Sequence, residues 1–95
     1  MKIKSIFLEK YGEDLLLTIN TDEKGLIVEL LNNQLRLYDE DNENIYELDY
    51  DFNLPKEQMY LKFYMYEKNQ ILIYLKHYKG ISERDIIDIK FKKVK

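Results

Sequence analysis

Ninety-five residues with 45% apolar side chains are enough for one compact core and too apolar for a disordered chain. The absence of cysteine excludes disulfides and thiolate metal sites, and no apolar run approaches a signal-peptide core or a membrane span, so the chain reads as cytoplasmic. The net charge of −3 conceals an uneven split: residues 1–8 carry +2, residues 9–57 carry −10 and residues 58–95 carry +5. Such a division predicts a dipolar surface able to steer a charged partner, unless the two halves interleave in space.

Residue usage is skewed as well. Lysine, isoleucine, tyrosine and asparagine abound and alanine is absent. The skew follows AT-rich codons and points to a low-GC bacterium or one of its phages as source. Losing the best helix former while gaining β-branched and aromatic residues also tilts the chain toward strand.

In chain order, Ile3 to Leu8 reads as a first strand with apolar residues on both parities, as in an element covered on both sides. Tyr11-Gly12-Glu13-Asp14 is a turn. Leu15, Leu17 and Ile19 then alternate with Leu16, Thr18 and Asn20 in a second strand. Thr21 to Gly25 has the composition of a hairpin loop closed by a glycine. Leu26, Val28 and Leu30 mark the inward face of a third strand, and Asn32-Asn33 is a two-residue turn, because asparagine tolerates positive φ. Gln34 to Tyr38 is a fourth strand with Leu35 and Leu37 inward. After the polar loop Asp39 to Asn44, a fifth strand places Tyr46, Leu48, Tyr50 and Phe52 opposite Glu47, Asp49 and Asp51.

Asn53 to Gln58 is irregular and coincides with the change of charge sign. Met59 to Tyr78 then reads as two alternating runs around Glu67-Lys68-Asn69-Gln70. Folded as a hairpin, one face collects Met59, Leu61, Phe63, Met65, Ile71, Ile73 and Leu75. The other collects Tyr60, Lys62, Tyr64, Tyr66, Leu72, Tyr74, Lys76 and Tyr78. A rival reading makes Pro55 the first residue of a long helix ending at Gly80. Ser82 to Asp85 resembles a capping box and allows a short C-terminal helix, before Ile87, Ile89 and Phe91 alternate in a last strand. The whole predicts an all-β or β-rich α+β domain, a small antiparallel meander closing into a barrel or sandwich of seven to eight short strands.

Two surfaces stand out. Tyr60, Lys62, Tyr64, Tyr66, Tyr74, Lys76 and Tyr78 would suit base stacking with phosphate neutralisation, or a protein contact where tyrosine offers large area with few rotors. They would equally serve as cross-strand pairs that merely stabilise a sheet. Asp39, Glu40, Asp41 and Glu43 could mimic phosphates in a basic groove of another protein, or form a solvated loop that keeps the chain soluble. As a calcium loop the segment fails: Asn44 stands where glycine is needed and Tyr50 where the bidentate glutamate belongs.

Catalytic candidates are few. His77 is the sole histidine and continues a core face, so it reads as a strand-end side chain with a hydrogen-bond partner. Ser5 and Ser82 lack a nucleophile context, and the Asp-x-Lys of Asp88-Ile89-Lys90 is a faint nuclease pattern that would need Asp49 or Asp51 beside it. No cofactor or metal is implied. The composition supports a non-catalytic interaction protein, an inhibitor of the phage- or mobile-element type (anti-defence, anti-CRISPR-like) acting on a nucleic-acid-handling host protein or its RNA complex. Alternatives are a single-stranded nucleic-acid-binding protein and an immunity protein that neutralises a basic toxin.

Overall fold

A computed structural model describes residues 3–22, 26–39, 41, 43–67 and 69–95, with the side chains of all of these except 56 and 65–67. Eight strands form: β1 (Ile3–Tyr11), β2 (Asp14–Thr21), β3 (Ile27–Leu31), β4 (Gln34–Tyr38), β5 (Ile45–Phe52), β6 (Met59–Glu67), β7 (Gln70–His77) and β8 (Ile86–Lys93). They build two four-stranded antiparallel sheets, a first with order β1-β2-β7-β6 and a second with order β3-β4-β5-β8. The sheets stack as an open sandwich, and no barrel closes.

Strand alternation explains the core. Leu15, Leu17 and Ile19 of β2, Ile71, Ile73 and Leu75 of β7 and Met59 and Leu61 of β6 all point between the sheets. Leu35 and Leu37 of β4 and Leu48 and Phe52 of β5 meet them from the second sheet. Ile81, from the loop before β8, joins the same cluster. The segment 59–78 is therefore a hairpin and not the rival helix, paired from Met59 opposite His77 through Met65 opposite Ile71. The stripe a helix would have used, from Tyr60 and Tyr64 through Ile71 to Tyr74, Leu75 and Tyr78, is divided between two faces. The alternate residues Met59, Leu61, Ile71, Ile73 and Leu75 are the ones buried against the second sheet.

Three expectations change. The connection after β2 is not a hairpin: β2 pairs with β7, β3 belongs to the other sheet, and residues 23–25 of the expected loop lie outside the described residues. The chain is thus no simple meander, since it passes between sheets after β2, β5 and β7. β1 is an edge strand and is not covered on both sides, with Ile6 45% and Phe7 61% exposed. Finally, the C-terminal helix shrinks to one 3-10 turn, Glu83–Asp85. The capping interaction is real, because the Ser82 N–H and hydroxyl both donate to Asp85 Oδ2 at 2.9 and 3.3 Å. Strand propensity in Ile86 to Phe91 and pairing with β5 then end the turn.

The Asn32-Asn33 turn forms as expected, with φ of 52° and 62°, the two positive values that a type I′ hairpin needs. Asn33 also ties the sheets together. Its Nδ2 donates to the Met59 carbonyl at 2.7 Å, and its own carbonyl accepts the Tyr50 hydroxyl at 2.9 Å. Burial holds the Tyr50 phenol above its ordinary pKa. Asn33→Gly should keep the backbone and lose one hydrogen bond, at a cost of about 1 kcal/mol. Asn33→Ala loses the same hydrogen bond and keeps a Cβ at positive φ without asparagine's local polar compensation, so it should cost about 1 kcal/mol more than the glycine variant. Urea unfolding reads the difference, and equal losses for the two variants would contradict it.

Candidate functional site

The register of the first sheet brings its outward side chains into rows that cross all four strands. One row runs Glu9, Leu16, Tyr74, Lys62, from β1 through β2 and β7 to β6. The next runs Phe7, Thr18, Leu72, Tyr64. At one end Tyr11 pairs with Asp14 and Lys76 with Tyr60, the two pairs joined by a Lys76 Nζ to Asp14 Oδ2 ion pair of 2.5 Å. That hydrogen bond raises the Lys76 pKa above its ordinary value.

Tyr74 is the hub of this face. The rings of Tyr11 and Tyr64 approach it edge-on, with centroids at 5.8 and 5.6 Å, and Lys76 Nζ lies 6.0 Å from its centre. Leu16, in the same row, is left 8% exposed. The rim remains open, with Phe7, Tyr11, Tyr60 and Tyr64 between 45% and 61% exposed. A shallow cleft of about 240 Å³ lies among Tyr11, Asp14, Lys62, Tyr64, Tyr74 and Lys76. The described side chains of the face are aromatic and charge-balanced: Lys62 and Lys76 are matched by Glu9 and Asp14.

Of the sequence-stated face, Tyr60, Lys62, Tyr64, Tyr74 and Lys76 come together. Tyr78 lies in the turn after β7 and is 84% exposed, and the Tyr66 side chain is outside the described residues. Phe7, Glu9, Tyr11, Asp14 and Leu16 were missed, although Ser5, Phe7, Glu9 and Tyr11 already alternate as one side of a strand longer than six residues.

The acidic segment divides. Asp39 is buried, 6% exposed, and acts as a loop clasp. Its Oδ1 accepts the Glu43 N–H at 2.9 Å, while Oδ2 accepts the Asn44 backbone N–H at 3.2 Å and Asn44 Nδ2 at 2.7 Å. The Asn44 side chain, followed by the two backbone donors, holds the Asp39 pKa below its ordinary value. Asp41 and Glu43 are exposed, and Glu40 lies outside the described residues. A carboxylate with a depressed pKa stabilises the fold above its unfolded value, near 3.9, and loses that contribution as pH falls through the folded value. Asp39→Asn should therefore unfold at lower temperature than the parent at neutral pH, and the gap should close in strong acid. A gap independent of pH would contradict the clasp.

The charged halves do interleave. On the outer face of the second sheet, Glu47 of β5 stands opposite Lys92 and Asp49 opposite Lys90 of β8. Glu47 also accepts from Arg36 Nε at 3.2 Å. The expected dipolar split is thereby neutralised across one strand pair, because the acidic and basic strands are neighbours.

The remaining chemistry-bearing groups are modest. His77 is 6% exposed, and its Nδ1 accepts the Lys79 N–H at 3.1 Å. The Ser5 hydroxyl accepts from Asn20 Nδ2 at 3.0 Å. Asp51 does stand opposite Asp88, but Lys90 Nζ binds Asp88 at 3.2 Å on an exposed strand pair. Among the described residues no three metal-ligating side chains come together, and no helix is long and apolar enough to cross a membrane. Compared with protein-family models, curated proteins and solved structures, the chain matches none of them.

Proposed function

We propose that this chain is a non-catalytic interaction protein that docks a protein partner through the outer face of its first sheet. The observation that carries the reading is the exposure of Phe7, Tyr11, Tyr60 and Tyr64 around the packed Tyr74. If these rings served only to stabilise the sheet, they would be packed like Tyr74. Instead they hold large rigid surfaces in water, as binding hot spots do.

Charge favours protein over nucleic acid. Single strands are held by unpaired cations beside stacking rings, with affinity that falls steeply with salt. Here Lys76 is paired with Asp14, and among the described side chains of the face the acids Glu9 and Asp14 equal in number the bases Lys62 and Lys76. The sequence composition supports an inhibitor of phage- or mobile-element type, acting on a larger nucleic-acid-handling host protein or its RNA complex. The exposed Asp41 and Glu43 would add a steering contact. We place the protein in the cytoplasm, since a cysteine-free chain draws no stability from an oxidising compartment.

The test is a titration of a captured partner with the parent chain, with Phe7→Ser/Tyr64→Ser and with Asp41→Asn/Glu43→Gln. Loss confined to the aromatic variant supports the reading. Fluorescence anisotropy with single-stranded RNA and DNA runs beside it, and saturable binding that weakens with salt would replace the protein partner by nucleic acid.

A further inference from the structure

Resting on the docking-face reading, we infer that, until a target displaces it, this face is closed by a second copy of the chain. The ground is the placement of charge along the rows. In the row Glu9, Leu16, Tyr74, Lys62 the acid lies on the β1 edge and the base on the β6 edge, with the apolar pair between them. Nearer the sheet end, Asp14 lies on β2 and Lys76 on β7, in the same order.

A two-fold axis parallel to the strands, lying midway between two such faces, carries the β1 edge of one copy over the β6 edge of the other. Each row then meets itself reversed. Glu9 faces Lys62 of the second copy, Leu16 faces its Tyr74, and Asp14 faces its Lys76. Phe7 similarly faces Tyr64 of the second copy. Each of these four charges meets its opposite, and every contact occurs twice. Aligned sheets cross at about 30°, and the length of the lysine side chain absorbs the offset at the edges. Had the two ends of a row carried the same sign, the operation would have placed like charges together.

The size is adequate. Four strands spaced about 4.8 Å apart, over about seven residues rising 3.4 Å each, present roughly 450 Å² of flat footprint per copy. Counting both copies and the relief of the side chains, the buried area reaches the ~1,000 Å² that a specific interface clears. The arrangement would also cover Phe7, which the open sandwich leaves 61% exposed on an edge strand.

Sedimentation velocity over a wide concentration range tests this with the intact chain. The expected result is a concentration-dependent species of twice the 11.7 kDa chain mass. Glu9→Lys alone and Lys62→Glu alone should each weaken association at least about tenfold, because like charges then meet across the interface. The double variant Glu9→Lys/Lys62→Glu should restore it. Both side chains are exposed, so the fold is expected to persist, and circular dichroism checks this. A chain that sediments at its own mass at every concentration, or a double variant no better than the singles, overturns the second copy. In that event, loss of a captured partner by Phe7→Ser/Tyr64→Ser would leave the docking face standing with a different occupant. An unaffected partner would remove both. Co-sedimentation with single-stranded RNA in place of self-association would also overturn the dimer.

Discussion

Ile73→Ala is expected to lower the unfolding free energy by about 3 kcal/mol, within the ~2–5 kcal/mol range of buried large-to-small changes. Ile73 is fully buried on a central strand, opposite Leu17 on β2 and Phe63 on β6. Its side chain faces the leucines of the second sheet. Truncation forfeits the transfer of three carbons and leaves a cavity that neighbours on both flanks cannot fill without breaking register. A chain of this length has roughly 5–14 kcal/mol of total stability, so a large share would go. With an m-value near 1.2 kcal/mol/M, the urea midpoint should fall by roughly 2–3 M. Ile87→Ala is the control: Ile87 is 64% exposed at the irregularity where β8 meets β5, and a change within about 0.5 kcal/mol is expected. A loss below about 1 kcal/mol at Ile73 would mean that the sheets do not pack as described.

Phe7→Ser/Tyr64→Ser should do the opposite, with small effects on stability and large ones on binding. The two rings end one row of the first sheet, on its two edge strands, and are 61% and 55% exposed. Little buried area is lost with them in the free chain, so unfolding should change by no more than about 1 kcal/mol. In a complex they would be desolvated against a partner, where a hot-spot aromatic is worth about 2 kcal/mol or more. Together they should raise the dissociation constant roughly a thousandfold, allowing for imperfect additivity. Asp41→Asn/Glu43→Gln should instead alter association rate and salt dependence, as rim charges do. Calorimetric or optical titration separates these outcomes. A double aromatic variant that binds like the parent would reduce the face to sheet-stabilising structure.

Much of this was legible in the residues because strand side chains alternate strictly. Parity alone assigns Met59, Leu61, Ile71, Ile73 and Leu75 to the core and Tyr60, Lys62, Tyr64, Tyr74 and Lys76 to the outer face. Likewise, the Asn32-Asn33 pair states its own turn, since few other residues accept two consecutive positive φ values. Pairing over long separations was not legible. The turn chemistry after Thr21 announces a reversal without saying which strand receives the chain, and β2 instead pairs with a strand fifty residues on, Asn20 opposite Gln70. That pairing is what brings Phe7 and Tyr11 onto the tyrosine face, so half of the face was invisible while β1 was ended at Leu8.

Asp39 illustrates a different limit. In a run of acids, a carboxylate that clasps a loop and one that waits for a partner are the same residue type. Only the geometry of Glu43 and Asn44 around it separates them. The charge split misled for a related reason. Composition counts charges along the chain, whereas β5 and β8 lie side by side and pair Asp49 with Lys90.

The most direct measurement is site-specific photo-crosslinking, with a photoreactive amino acid placed at Tyr64 and, as control, at Asp49 on the exposed face of the second sheet. The expected result is a discrete protein adduct from position 64, including the chain's own dimer, and none from position 49. No adduct from position 64, or equal labelling from both faces, would contradict the first sheet as the docking surface.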